Sequence, residues 1–131
     1  MSANRFSIDG SRIDSLSEFL RAENDNCFRD ILYYPKEFMN SEDKPLVFKE
    51  KKFNSVSFKD TVLKNIRFIG CEFKNCLLIG SKVVDCEFID CTFFDTNTSK
   101  MKISNCLIDP LSFENNFDLN DDANIVTFPL N

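Results

Sequence analysis

The chain has 131 residues, 43% of them apolar, with fifteen Phe, no Trp, no His and a formal net charge of −5. That is enough for one domain with its own core, and the want of His removes both the commonest general base near neutral pH and the commonest zinc partner. No run reaches membrane-spanning length, and MSANRFSIDGSR lacks the apolar stretch of a signal peptide, so a cytoplasmic location is expected.

Residues 1–45 read as a non-repeat segment. RFSI before Asp9-Gly10 predicts a short strand and turn. Ser15 and Glu18 have the spacing of a capping box, followed by Leu16, Phe19 and Leu20 on one helical face, which predicts a helix ending near Asn24. CFRDILYY is a second apolar segment, helix or strand, stopped before Pro35. The segment is expected to cap the open end of whatever follows, the alternative being a separate recognition module. IDGSRIDSLSEFL has only a local likeness to the strand–helix opening of barstar-type inhibitors; it implies the alternative of an inhibitor or immunity protein binding through residues 1–45.

From Leu46 to Asn115 the chain divides without insertion into fourteen blocks of five. The middle residue is apolar in thirteen, eight times Phe, and the last is Asp, Asn or Gly in ten. Neither helix nor flat strand repeats at five. A short extended piece followed by a corner does, and Asp, Asn and Gly tolerate the left-handed backbone of such a corner. The first place is small or apolar in every block but the one opening with Lys51. First and third places therefore point inward, as alternation along a strand requires.

These blocks resemble the pentapeptide-repeat family, with Phe favoured over Leu at the centre, Cys over Ala at the small position, and no regular Asp or Asn at the second place. The resemblance implies an all-β solenoid, a right-handed quadrilateral β-helix with four blocks to a coil. Residues 46–115 would then make about 3.5 coils, flanked by a small, partly helical N-terminal cap and by a cap or tail over 116–131. On that reading residues twenty apart stack. Phe53, Phe73, Phe93 and Phe113 form one ladder; Phe48, Phe68, Phe88 and Ile108 a second; Leu63, Val83 and Ile103 a third; and Phe58, Leu78 and Thr98 the last. Irregular coils are expected at Lys51 and Thr98. After Asn115 the phase is lost: NDDAN reads as an acidic loop, and IVTF as a strand closed by Pro129.

Catalytic, cofactor and metal sites are not expected. Cys71, Cys76, Cys86, Cys91 and Cys106 all take the first place of their blocks, and with Cys27 no two make a C-x-x-C pair, so they read as small core residues rather than ligands. Free buried thiols fit a reducing compartment. Gly70 and Gly80 read as corners, and Glu72, Asp85, Glu87, Asp90 and Asp95 as solvated outward groups.

The family resemblance implies one function directly: protection of bacterial topoisomerases such as gyrase by a rod that imitates duplex DNA. The charge does not suit it. Residues 1–45 carry six basic and nine acidic groups, 46–115 ten and nine, and 116–131 three acidic ones, so the rod itself is not acidic. At about 4.8 Å per coil it would also span only about 17 Å, against about 34 Å for a DNA turn. Mimicry is the alternative to a non-catalytic scaffold for protein–protein interaction. The scaffold reading rests on apolar residues at outward places: Ile69 and Ile89 on one face flanked by Val47 and Leu107, and Leu77 and Ile79 on another. Stacked outward apolar residues make a patch, to be covered by residues 1–45, by a second copy of the chain, or by a protein partner. Direct nucleic-acid binding and membrane association are not expected.

Overall fold

The computed structural model describes residues 7–40 and 43–109, and the backbone of Asn124–Val126. The described chain is a β-solenoid of about five turns with one short helix. It begins with β1 (Ser11–Ile13), α1 (Leu16–Arg21), β2 (Cys27–Tyr33), β3 (Glu37–Phe38) and β4 (Leu46–Lys49). It continues through β5 (Lys52–Ser57), β6 (Val62–Lys64), β7 (Ile66–Ile69), β8 (Glu72–Lys74), β9 (Lys82–Val84), β10 (Glu87–Ile89), β11 (Thr92–Phe94), β12 (Lys102–Ile108) and β13 (Asn124–Val126).

Every strand pairing is parallel, and between β4 and β12 every pair is twenty residues apart. One sheet runs β1-β2-β5-β8-β11 and brings Phe53, Phe73 and Phe93 into register. In the other, β3, β6, β9 and the first half of β12 align Leu63, Val83 and Ile103. The second half of β12 turns onto β10, β7 and β4, where Phe48, Phe68, Phe88 and Ile108 align. The remaining ladder consists of isolated bridges, Ser57 to Leu77 to Asn97, beneath buried Phe58, Leu78 and Thr98. Phe113 lies outside the described residues.

The five-residue phase is a backbone fact. From Glu50 to Asn105 every fifth residue has a positive φ, between 48° and 67°. L-residues ordinarily avoid that region at a cost of about 1–2 kcal/mol each; Asn and Asp pay less by bonding locally. Between the corners the rings stack: Phe53–Phe73 and Phe73–Phe93 lie 4.8 Å apart and nearly parallel, and Phe68–Phe88 4.9 Å. Each buried Phe contributes about 1.5–3 kcal/mol, with about 0.5–1.5 kcal/mol more for a well-placed ring pair.

The stacking starts upstream of Leu46. CFRDILY is a strand: Phe28 pairs in register with Phe53 and Ile31 with Val56, while Phe38 pairs with Leu63. These partners are twenty-five residues apart instead of twenty, so five residues are extra between Phe38 and Leu46. Among the described residues the first strand is Ser11–Ile13, after Asp9-Gly10; of RFSI, Arg5 and Phe6 lie outside the described residues, and Ser7 and Ile8 are not in a strand. Gly10 passes close to the next turn: a Cβ there would meet the Asp30 carbonyl oxygen at 2.6 Å. Ser15 Oγ accepts from the Glu18 N–H and Glu18 returns a bond to Asp14 N–H, as a helix start requires, but the helix stops at Arg21, short of Asn24. Its buried Phe19 packs against the N-terminal turn, 4.6 Å from Phe28 and edge-on to Phe38 and Tyr33.

Neither expected irregularity occurs. At Lys51 the corner keeps its backbone bonds, since the Lys51 carbonyl accepts from Glu72 N–H, and the ammonium turns outward to Glu23 (2.6 Å) and Asn26 (3.0 Å). Thr98 is buried, and Met101 N–H closes the same turn on its carbonyl that Thr61 and Ser81 close on Phe58 and Leu78.

Candidate functional site

The candidate surface lies on β4, β7 and β10. Their fourth places carry Lys49, Ile69 and Ile89 in register, and both isoleucines are half-buried. Their second places carry Val47, Arg67 and Glu87, followed by Leu107 on β12. Val47 is 50% exposed and Leu107 half-buried, but the Arg67–Glu87 ion pair (3.5 Å) stands between them. The structure thus brings Ile69 and Ile89 together and leaves Val47 and Leu107 at opposite ends of a mixed column.

Leu77 and Ile79, expected outside, are only 5% and 8% exposed. Leu77 floors a cleft of about 390 Å³ whose walls include Ser7, Ile8, Leu32 and Tyr34, so the N-terminal chain stands over this face. Ile79 lies within the turn that Ser81 N–H closes on the Leu78 carbonyl. Besides Val47, the exposed large apolar side chains among the described residues are Leu20, Phe94, 66% exposed beside Lys74, and Tyr34, whose ring carries the Arg12 guanidinium at 4.0 Å.

The thiols do more than fill space. Cys71, Cys76, Cys86, Cys91 and Cys106 each donate to the carbonyl of a central residue on the turn before: Phe48, Phe53, Leu63, Phe68 and Val83, at 3.1–3.4 Å. Thr96 Oγ1 does the same to Phe73 at 3.2 Å. Each also lies 3.0–3.6 Å from the carbonyl two residues earlier. In these six blocks the first place thus holds a small donor that satisfies strand carbonyls at a corner, where an unpaired buried group would be costly. Burial pushes the Cys76 thiol up to about 12. Cys86 and Cys91 are held above the ordinary thiol range first by the thiol stacked on each, Cys106 and Cys71, and then by burial.

The outward carboxylates are spread over the faces. Glu72 stands in register with Lys52, Glu87 meets Arg67, and Asp85 accepts from Asn105 Nδ2 at 2.7 Å. Among the described residues no three His, Cys, Asp or Glu side chains converge as a metal site requires, and no helix is long and apolar enough to cross a membrane. A search for outward apolar residues passes over Lys82 and Lys102. They are also twenty apart, and they are in register and exposed on adjacent rungs.

No family model matches the chain, and neither a curated protein nor a solved structure matches it.

Proposed function

We propose that this chain is a pentapeptide-repeat scaffold, a right-handed four-sided coil without catalytic activity that engages another protein through its outer faces in the cytoplasm. The fivefold corners and the twenty-residue ladders support the fold assignment, with about 3.5 coils in residues 46–115 and the upstream strands supplying the rest. Buried free thiols fit a reducing compartment.

One observation carries the interaction reading: Ile69 and Ile89 pair in register on the outside of neighbouring turns. Both are already half-buried, so covering the rest would contribute on the order of 1.5–3 kcal/mol in all, about half of the full-burial value of about 1.5–3 kcal/mol per side chain, enough to seed an interface and too little to make a tight one alone. The partner is a second copy of this chain or another protein. The test is Ile69→Lys with Ile89→Lys, followed by size measurement and partial proteolysis. A change in oligomeric state or in protease resistance is expected. If both stay as in the parent, the strip is idle surface.

The net charge of −5 invites a second reading, a DNA-mimicking topoisomerase protection protein, although residues 46–115 carry ten basic and nine acidic groups. The exposed lysines stacked at 82 and 102 oppose it, since a mimic must present negative charge along its length. A gyrase supercoiling assay with and without a quinolone decides between the two. An inhibitor acting through residues 1–45 would have to bind with a segment whose β1, β2 and β3 are already engaged in the solenoid.

A further inference from the structure

We propose that the outer face of β6, β9 and the first half of β12 docks an extended acidic segment of a protein partner. Lys82 and Lys102 stand in register on neighbouring turns, and Lys64 lies across the rung from Val84. All three lysines are exposed. Turns about 4.8 Å apart set the stems of Lys82 and Lys102 side by side, and like charges directly opposite each other destabilise a sheet.

Elsewhere this chain balances such columns: Lys52 faces Glu72, and Arg67 faces Glu87. Here, among the described residues, none of the three lysines has an ion pair. Among the described residues the acidic group of this column is Glu37, at its upper end, where it pairs with Val62. Lys64 borders a groove shared with Asp43, Asp85 and Glu87, so the pair that complements an anionic partner is Lys82 and Lys102.

The shape of the face selects the kind of anion. The strands are three residues long, about 10 Å, and the face is edged by corners that carry Asp60 and Asp85. A nucleic acid carries a charge at every nucleotide and would lay phosphates on those carboxylates, whereas a peptide can set its acidic groups on the lysines and uncharged residues at the corners. An extended peptide fits between the corners. Half-buried Val62 and Val84 sit among the lysines, so a segment alternating acidic and apolar residues finds contacts for both. This face is separate from the Ile69/Ile89 strip, and the proposal stands without it.

The experiment is fluorescence anisotropy with the full chain and a labelled short peptide alternating Glu and Val. The comparators are its Lys/Val counterpart and a single-stranded DNA oligonucleotide of the same charge as the acidic peptide. Saturable binding of the Glu/Val peptide at low salt is expected, weakened at least tenfold in 0.5 M salt and at least tenfold by Lys82→Glu with Lys102→Glu. Ile69→Lys with Ile89→Lys should leave it unchanged. Lys82→Gln with Lys102→Gln serves if charge reversal prevents folding; it should weaken binding while keeping or raising the melting temperature. Absence of peptide binding, equal binding by the lysine variants, equal binding of the Lys/Val peptide, or tighter binding of the oligonucleotide would each overturn the proposal.

Discussion

Phe73 meets Phe53 on one side and Phe93 on the other, both at 4.8 Å, and is almost wholly buried. Phe73→Ala should cost about 3–5 kcal/mol in urea denaturation. Phe73→Asp should leave no cooperative transition, because an unpaired charge would be placed between two rings. The exposed neighbour Glu72→Ala should stay within about 0.5 kcal/mol of the parent. Cys76 makes a different prediction, about pH. Its thiol is raised to about 12 in the folded chain from an ordinary value of 9.0. Its contribution is therefore complete below the unfolded value and is lost as pH rises from there toward the folded one, since the unfolded chain gives up the proton first. Melting temperature should fall above about pH 9, less steeply in Cys76→Ala. Lys100 is a third case, with φ of 58° and a long side chain at a corner. Lys100→Gly should relieve about 1–2 kcal/mol of backbone strain against about 0.5–1 kcal/mol of added chain entropy, for a small net gain in thermal stability.

At the scale of the element, the unit is one side of a turn: a small donor or an apolar chain at the first place, a ring or branched chain at the third, and a left-handed corner at the fifth. Most of this was legible in the sequence because each place has one physical demand. Residues 27–38 were harder to read. Their centres Phe28, Tyr33 and Phe38 keep the spacing of five, but first places Asn26 and Lys36 break the small column, and five extra residues shift the pairing to Phe53 and Leu63. Lys51 and Thr98 mislead in the opposite sense. Both spoil the side-chain pattern while the backbone bonds of the turn carry on, Lys51 by turning its charge out to Glu23 and Thr98 by being buried in an otherwise regular turn. Of the candidate surface, the meeting of Ile69 with Ile89 was readable from their spacing. The burial of Leu77 was not: it shares a cleft with Ser7 and Ile8, which sit seventy residues upstream with no pattern linking them to that face.

For the molecule as a whole, the corner between Phe38 and Leu46 matters most, since the ladders close on both sides of it even with five residues to spare. The solenoid holds its turns together by pairing between them, and at this corner the length of chain joining one side to the next is not fixed by that pairing. Closure entropy grows slowly with loop length, by about 0.6 kcal/mol for each doubling. A flexible ten-residue insertion after Asp43 should therefore cost about 1 kcal/mol, whereas the same insertion after Gly70, where a tight corner joins β7 directly to β8, should cost several times more; urea midpoints of the two variants provide the comparison. Among the described residues this corner is thus a port in the wall of the tube. A foreign peptide spliced there would be displayed beside the turns without entering the fold, and a lineage could lengthen or rewrite that loop while the rungs around it stay fixed.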